Sequence, residues 1–205
     1  MDRIVIADDH PLFRAALSTA MARASPDVVI EETSSLAGAR AALATGPVDL
    51  LLLDLKLSDS EGFAGLAGIR ADFPAAPVAI VSASDDEGTV RRALAFGAAG
   101  FIPKSASLET MAEALGSILG GDIWAPALSE LEPGESMESR IASLTPSQLK
   151  ILIGLQQGRL NKQIAFDLGV TEATIKAHLT GVFRKLGVHN RTQAVIAAQA
   201  LTTDI

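Results

Sequence analysis

The 205-residue sequence predicts a doubly wound α/β domain with a five-stranded parallel sheet, joined to a second, smaller all-α domain. Three observations carry this prediction. Five short apolar, β-rich runs alternate with alanine-rich helical stretches over the first 120 residues, and four helical segments follow residue 143. The charge also changes sign along the chain. Residues 1–140 hold ten Lys and Arg against 21 Asp and Glu, a balance of −11, whereas residues 141–205 hold seven against three, a balance of +4. An acidic module joined to a basic one is expected, and the basic one suits nucleic acid.

The runs are "RIVIA" (3–7), "DVVIEE" (27–32), "VDLLLLD" (48–54), "PVAIVSA" (77–83) and "AGFIP" (99–103). Strands that are apolar throughout belong to a sheet covered on both faces. Between them, spacings such as Leu12, Ala16, Leu17, Ala20 and Met21 are helical. Right-handed crossovers then bring every strand's C-terminal end to one edge, where such folds bind ligands. The expected domains are residues 1–120 and 143–205. The segment 121–142, rich in Gly, Pro, Ser and Glu, reads as a linker that contains at most a short helix.

Composition excludes several classes of function. There are no cysteines, so disulfides, thiolate metal sites and cysteine nucleophiles are out. Apolar residues make up 48% of the chain, but no run approaches the roughly 20 residues needed to cross a bilayer. "MDRIVIADD" has no apolar segment ending in a cleavage site, so a soluble cytoplasmic protein is expected.

The predicted ligand edge is acidic. Asp8 and Asp9 follow the first strand and Asp54 ends the third. Two carboxylates about 4 Å apart repel by about 4 kcal/mol at an effective dielectric near 20, so an ionised cluster needs a cation or shifted pKa values. With oxygen ligands alone, a hard ion such as Mg²⁺ fits. Ser82 closes the fourth strand and Lys104 follows the fifth, adding a hydroxyl and a cation to the same edge. That set suits phosphoryl transfer, which needs charge neutralisation and positioning above all. An aspartate at a strand end more often caps a helix, and Asp8 or Asp9 has one available at Pro11. Convergence of five residues favours the site. A dinucleotide fold would need a Gly-rich turn where "ADDH" stands, and an aspartyl-nucleophile phosphatase would need a second Asp two residues after Asp54, where Lys56 stands.

The basic half carries helix-start signals at Thr145 (with Pro146 and Gln148), Thr171 (with Glu172) and Asn190 (with Gln193). Ile175, Leu179, Val182 and Leu186 form one apolar stripe. At about 100° per residue, Ala177, Thr180 and Arg184 lie opposite it, with Lys176 on one flank and His178 and Lys185 on the other. The turn "GVT" (169–171) separates this helix from "NKQIAFDL", which makes a helix-turn-helix.

"ADDHPLFR", "DLLLLDLKLSDSEG", "IVSAS" and "GAAGFIPKS" resemble a bacterial response-regulator receiver domain of flavodoxin-like fold. "LTPSQ", "NKQIAFDLGVTEATIKAHL" and "FRKLGVHNRTQAV" resemble the LuxR-type DNA-binding domain, and together the halves resemble the NarL/FixJ group of response regulators. The resemblance implies that Asp54 accepts a phosphoryl group from a histidine kinase, with Mg²⁺ bound by Asp9, Asp54 and the Lys56 backbone carbonyl, helped by Asp8. It gives Lys104 contact with the phosphoryl oxygens, and Ser82 and Phe101 a switching movement. In the basic half it assigns base reading to Lys176, Ala177 and Thr180, and phosphate contacts to Lys162, Thr174, Arg184 and Lys185. The partners implied are the kinase, double-stranded DNA with a two-fold site, a second copy of the chain paired through the last helix (192–202), and RNA polymerase; no membrane and no conventional enzyme activity are implied. Ser58 and Ser105 depart from the family pattern, where proline is common, and "SQ" replaces the usual "RE" after "LTP".

Overall fold

A computed structural model describes residues 1–126 and 137–201. Strand β1 (Asp2–Ala7) is buried from Ile4 onward, and β3 (Leu50–Asp54), β6 (Val78–Ser82) and β7 (Gly100–Pro103) are buried along their whole length. Their continuous hydrophobicity follows from cover on both faces. With β2 (Val28–Thr33) at one edge, the parallel sheet runs β2-β1-β3-β6-β7. Helices α1 (Pro11–Ala24) and α5 (Leu108–Leu119) cover one face; α2 (Leu36–Ala44), α3 (Ala64–Asp72) and α4 (Glu87–Ala95) cover the other. The pleat sorts the side chains: Ile4, Ile6, Leu50 and Leu52 face α1 and α5, whereas Val5, Ala7, Leu51 and Leu53 face the opposite layer.

All five predicted strands are present. A small antiparallel ribbon that the sequence reading lacked, β4 (Lys56–Leu57) with β5 (Ser60–Glu61), follows Asp54. The α1 stripe is also narrower than its spacing suggested. Leu17, Ala20 and Met21 are buried, but Leu12 is 90% exposed, because the first turn of α1 stands above the sheet edge.

The second domain contains α6 (Met137–Ala142), α7 (Pro146–Gln156), α8 (Asn161–Asp167), α9 (Glu172–Leu186), α10 (Arg191–Ala198) and a 3₁₀ turn over Gln199–Leu201. The four expected helices are α7 to α10. The short helix allowed for in the linker is α6, at its C-terminal end, which buries Ile141. Residues 127–136 of the expected linker, and residue 202 of the expected last helix, lie outside the described residues. Thr145 and Gln148 form the reciprocal capping box, Thr145 Oγ1 accepting from Gln148 N and Gln148 Oε1 from Thr145 N. At α10 the reciprocity fails. Asn190 Oδ1 accepts from Gln193 N, but Gln193 Oε1 accepts from His189 N, one residue earlier than expected. Gly169 (φ 64°) lets the chain turn between α8 and α9, and Gly187 (φ 70°) ends α9 in the left-handed region.

The domains touch. α3 packs on α7 and α4 on α6, so the apolar layer behind α2, α3 and α4 continues into the helical domain.

Candidate functional site

Strand register assembles the acidic site. Ala7 pairs with Leu53, so Asp8 emerges beside Asp54. Asp54 pairs with Val81, and Ser82 with Pro103, which sets Lys104 on the same edge. The side chains of Asp8 and Asp54 are only 1% and 2% exposed, while Asp9 is partly open at 32%. The Lys104 ammonium lies between the buried pair, 2.6 Å from Asp8 Oδ2 and 2.7 Å from Asp54 Oδ2. It also sits 4.9 Å from the centre of the Phe13 ring. Burial works against the Lys104 charge, yet the hydrogen bonds and charges of Asp54 and Asp8 outweigh it, so its pKa stands above the ordinary lysine value.

The remaining contacts come from backbone groups, one guanidinium and one imidazole. Lys56 N donates to Asp54 Oδ1 at 3.0 Å, while the Lys56 side chain points to solvent. His10 N donates to Asp8 Oδ1 at 2.7 Å, and the Arg14 guanidinium donates to the Asp8 carbonyl at 2.6 Å. His10 caps α1 by position, without a side-chain cap bond, so neither Asp8 nor Asp9 is the helix cap considered as their ordinary role. Asp8, Asp9, His10 and Asp54 bring ligand atoms within 4.8 Å of one another. Asp9 Oδ1 is buried and accepts no hydrogen bond, although His10 Nδ1 lies 2.8 Å away. A divalent cation fits this donor set: carboxylate oxygens converge, and Asp9 Oδ1 among them accepts no hydrogen bond.

Ser82 is buried, its Oγ accepting from Ser84 N at 3.1 Å. Phe101 is fully buried in the layer beneath α2, α3 and α4. His10, Phe13 and Arg14 were not among the predicted site residues. Their signal was adjacency, since they lie within six residues of Asp8 in "DDHPLFR".

In the helical domain the stripe Ile175, Leu179, Val182 and Leu186 is buried against α6, α7 and α8. Lys176, Ala177, Thr180 and Arg184 are exposed on the other side of α9, and Lys162 is exposed on α8. Lys176 Nζ lies 3.3 Å from Glu172 Oε1, a surface pair of little energetic weight. Thr174 is half-buried and tied to the Thr171 cap. Lys185 is drawn away from that face, its ammonium donating to the Ser143 carbonyl at 2.7 Å.

Two family models match the chain: the response regulator receiver domain over residues 4–116 and the luxR family of bacterial regulatory proteins over residues 142–198. The chain is a NarL/FixJ-family response regulator. A glycerol metabolism activator of Pseudomonas putida is 39% identical over 97% of this chain and 95% of its own length. The nitrate/nitrite response regulator protein NarP of Escherichia coli is 31% identical over 95% and 93%. Among solved structures, a LuxR family DNA-binding response regulator from Silicibacter pomeroyi superposes with a TM-score of 0.54 at 34% identity, over 62% of this chain and 98% of that one. RcsB from Salmonella enterica serovar Typhimurium, bound to a promoter, shares the fold at 20% identity, with a TM-score of 0.58 over 99% of both chains. Family membership makes this response regulator a transcriptional regulator rather than a conventional enzyme. No helix among the described residues is long and apolar enough to cross a membrane.

Proposed function

We propose that this regulator is switched by phosphorylation of Asp54 and acts by binding DNA as a pair of chains. The observation that carries the reading is the Asp54 carboxylate, at the end of β3 and 2.7 Å from the Lys104 ammonium, which is itself 2.6 Å from Asp8. An Asp54 oxygen attacks the phosphorus of a phosphohistidine on a kinase; the P–N bond breaks as the P–O bond forms, and the imidazole leaves. Lys104 neutralises the transferred oxygens. Asp9, Asp54 and the Lys56 carbonyl, with Asp8, would hold Mg²⁺, which supplies charge neutralisation for the phosphoryl oxygens. Ser82 Oγ gives up its bond from Ser84 N to donate to the phosphoryl group, and the Phe101 ring moves with it.

On DNA, Lys176 offers the one strong donor for guanine among the three base-reading candidates, Ala177 suits a thymine methyl and Thr180 either class of base edge. Lys162, Thr174 and Arg184 meet phosphates, and Lys185 joins them once it leaves Ser143. So few basic groups call for a second copy on a two-fold site, paired through α10, where Ile196 is 58% exposed. The setting is the cytoplasm, with RNA polymerase as the downstream partner.

The test is labelling with radioactive acetyl phosphate and Mg²⁺. The wild type takes up about one phosphoryl group per chain and Asp54→Ala none; uptake by Asp54→Ala at the wild-type level sinks the assignment.

A further inference from the structure

The sequence predicts oxygen ligands alone at the acidic edge, and the structure adds a nitrogen to them. His10 Nδ1 lies 2.8 Å from Asp9 Oδ1, 3.3 Å from Asp8 Oδ1 and 4.0 Å from Asp54 Oδ2. Atoms that share one small octahedral ion at about 2.1 Å stand about 3.0 Å apart when adjacent and about 4.2 Å apart when opposite. The three separations match that spread.

Helix capping does not account for the ring's position. His10 is the N-cap of α1, where Ser, Thr, Asp or Asn would bond the first turn, yet its side chain makes no cap bond. Its backbone is fixed from both sides. Pro11 confines His10 to the extended region, where it sits at φ −96° and ψ 103°, and its N–H donates to Asp8 Oδ1 at 2.7 Å. The imidazole is thereby delivered to the edge, and at 67% exposure it stays within reach of an ion arriving from solvent.

The ordinary role for such a ring is that of a surface cation paired with the acids. Two observations count against it. A ring paired with Asp9 would aim its N–H at the carboxylate, but Asp9 Oδ1 is buried and accepts no hydrogen bond although Nδ1 is at bonding distance. The two atoms lie side by side rather than in line. Lys104, moreover, already supplies the compensating cation for the two most deeply buried carboxylates, at 2.6 Å from Asp8 and 2.7 Å from Asp54.

We infer that His10 is a nitrogen ligand of the ion held by Asp9 and Asp54, and that it gives this site an affinity for first-row transition ions which Mg²⁺ does not share. Mg²⁺ is suited by carboxylate, carbonyl and water oxygens, whereas an imidazole favours ions further along the series from Mn²⁺ to Ni²⁺. This rests on the ion site of the proposed function and adds to it the class of ion.

The test uses the full chain at one pH, as wild type, His10→Gln and Asp9→Asn, each with and without ¹⁵N confined to histidine. Electron spin-echo spectra of the Mn²⁺-loaded protein read nitrogen on the ion directly. The wild type is expected to show a nitrogen modulation that changes when histidine carries ¹⁵N, and His10→Gln with Mn²⁺ bound is expected to lack it. The other two histidines, His178 and His189, belong to the helical domain, so a signal lost in His10→Gln comes from His10. By titration calorimetry, His10→Gln should weaken Co²⁺ binding by about tenfold or more and Mg²⁺ binding by less than about twofold. Mn²⁺ bound without a histidine signal overturns the ligand and leaves the ion site standing. Equal losses of Co²⁺ and Mg²⁺ affinity overturn it too, since a residue that merely shapes the loop would produce them. A wild type that binds no ion, or Asp9→Asn that binds Mn²⁺ as tightly as the wild type, removes the ion site of the proposed function and the role of His10 with it. Should His10→Gln fold poorly, His10→Asn, which can also cap α1, carries the same comparison.

Discussion

At the scale of residues, Lys104 holds the acidic site together. Its ammonium compensates two carboxylates that are almost without solvent, so its removal leaves uncompensated buried charge. Lys104→Ala is expected to lose about 3 kcal/mol of unfolding free energy in metal-free buffer, measured by urea denaturation. Under the proposed Mg²⁺ binding, the added ion should restore more stability to this variant than it adds to the wild type, because it would take over the lost compensation. Since the Lys104 pKa is raised, its pairing contributes in full below the ordinary lysine value of 10.5 and fades as pH rises through its higher folded value. Asp8, Asp9, Asp54, Ser82 and Lys104 were legible in the sequence because each stands at the end of an apolar run, and parallel strands share one C-terminal edge. The charge state of that edge was not legible. It depends on Lys104 reaching both Asp8 and Asp54, a distance set by the register of β1, β3, β6 and β7.

Among the elements, α4 matters most, because its N-cap, Asp86, stands four residues after Ser82. Hydrogen bonds from the Ser84 hydroxyl, then from the Thr89 side chain and backbone, hold the Asp86 carboxyl at about 2, below its ordinary 3.8. A depressed carboxylate stabilises the fold above its unfolded pKa and loses that contribution as pH falls through the folded one. Asp86→Ala should therefore cost about 1 kcal/mol at neutral pH. Chemical denaturation should show the gap to the wild type closing as pH drops from 3.8 toward about 2. The cap itself was not among the starts the sequence reading singled out, whereas the caps at Thr145, Thr171 and Asn190 were, and all three side chains do accept the expected backbone bond. The miss at Gln193 is a matter of reach. Asn190 is extended, and the Gln193 Oε1 that would close the box accepts from His189 N instead.

For the whole molecule, the charge asymmetry becomes geometry: the acidic domain gathers Asp8, Asp9 and Asp54 at the sheet edge, and the basic one exposes Lys162, Lys176 and Arg184. Each phosphate neutralised releases counterions, so DNA affinity should fall linearly with the logarithm of salt concentration. Lys162→Ala should reduce that slope by about 0.9 per chain, and by about twice that for a bound pair, measured by fluorescence anisotropy on a promoter-length duplex. A slope unchanged by this substitution would take Lys162 off the phosphate backbone. The fold, the acidic edge and the recognition helix could be read from one dimension because each rests on local periodicity or on a strand end. The docking of α3 on α7, the Asp72–Lys150 pair and the reach of Arg92 to Ala200 could not. They join residues 78 and 108 positions apart through surfaces that carry ordinary small and charged side chains. Nothing in a helix's own pattern says which neighbour will cover its second face; only packing of the two finished domains decides that, because the free energy of such a contact belongs to the pair of surfaces and to neither alone.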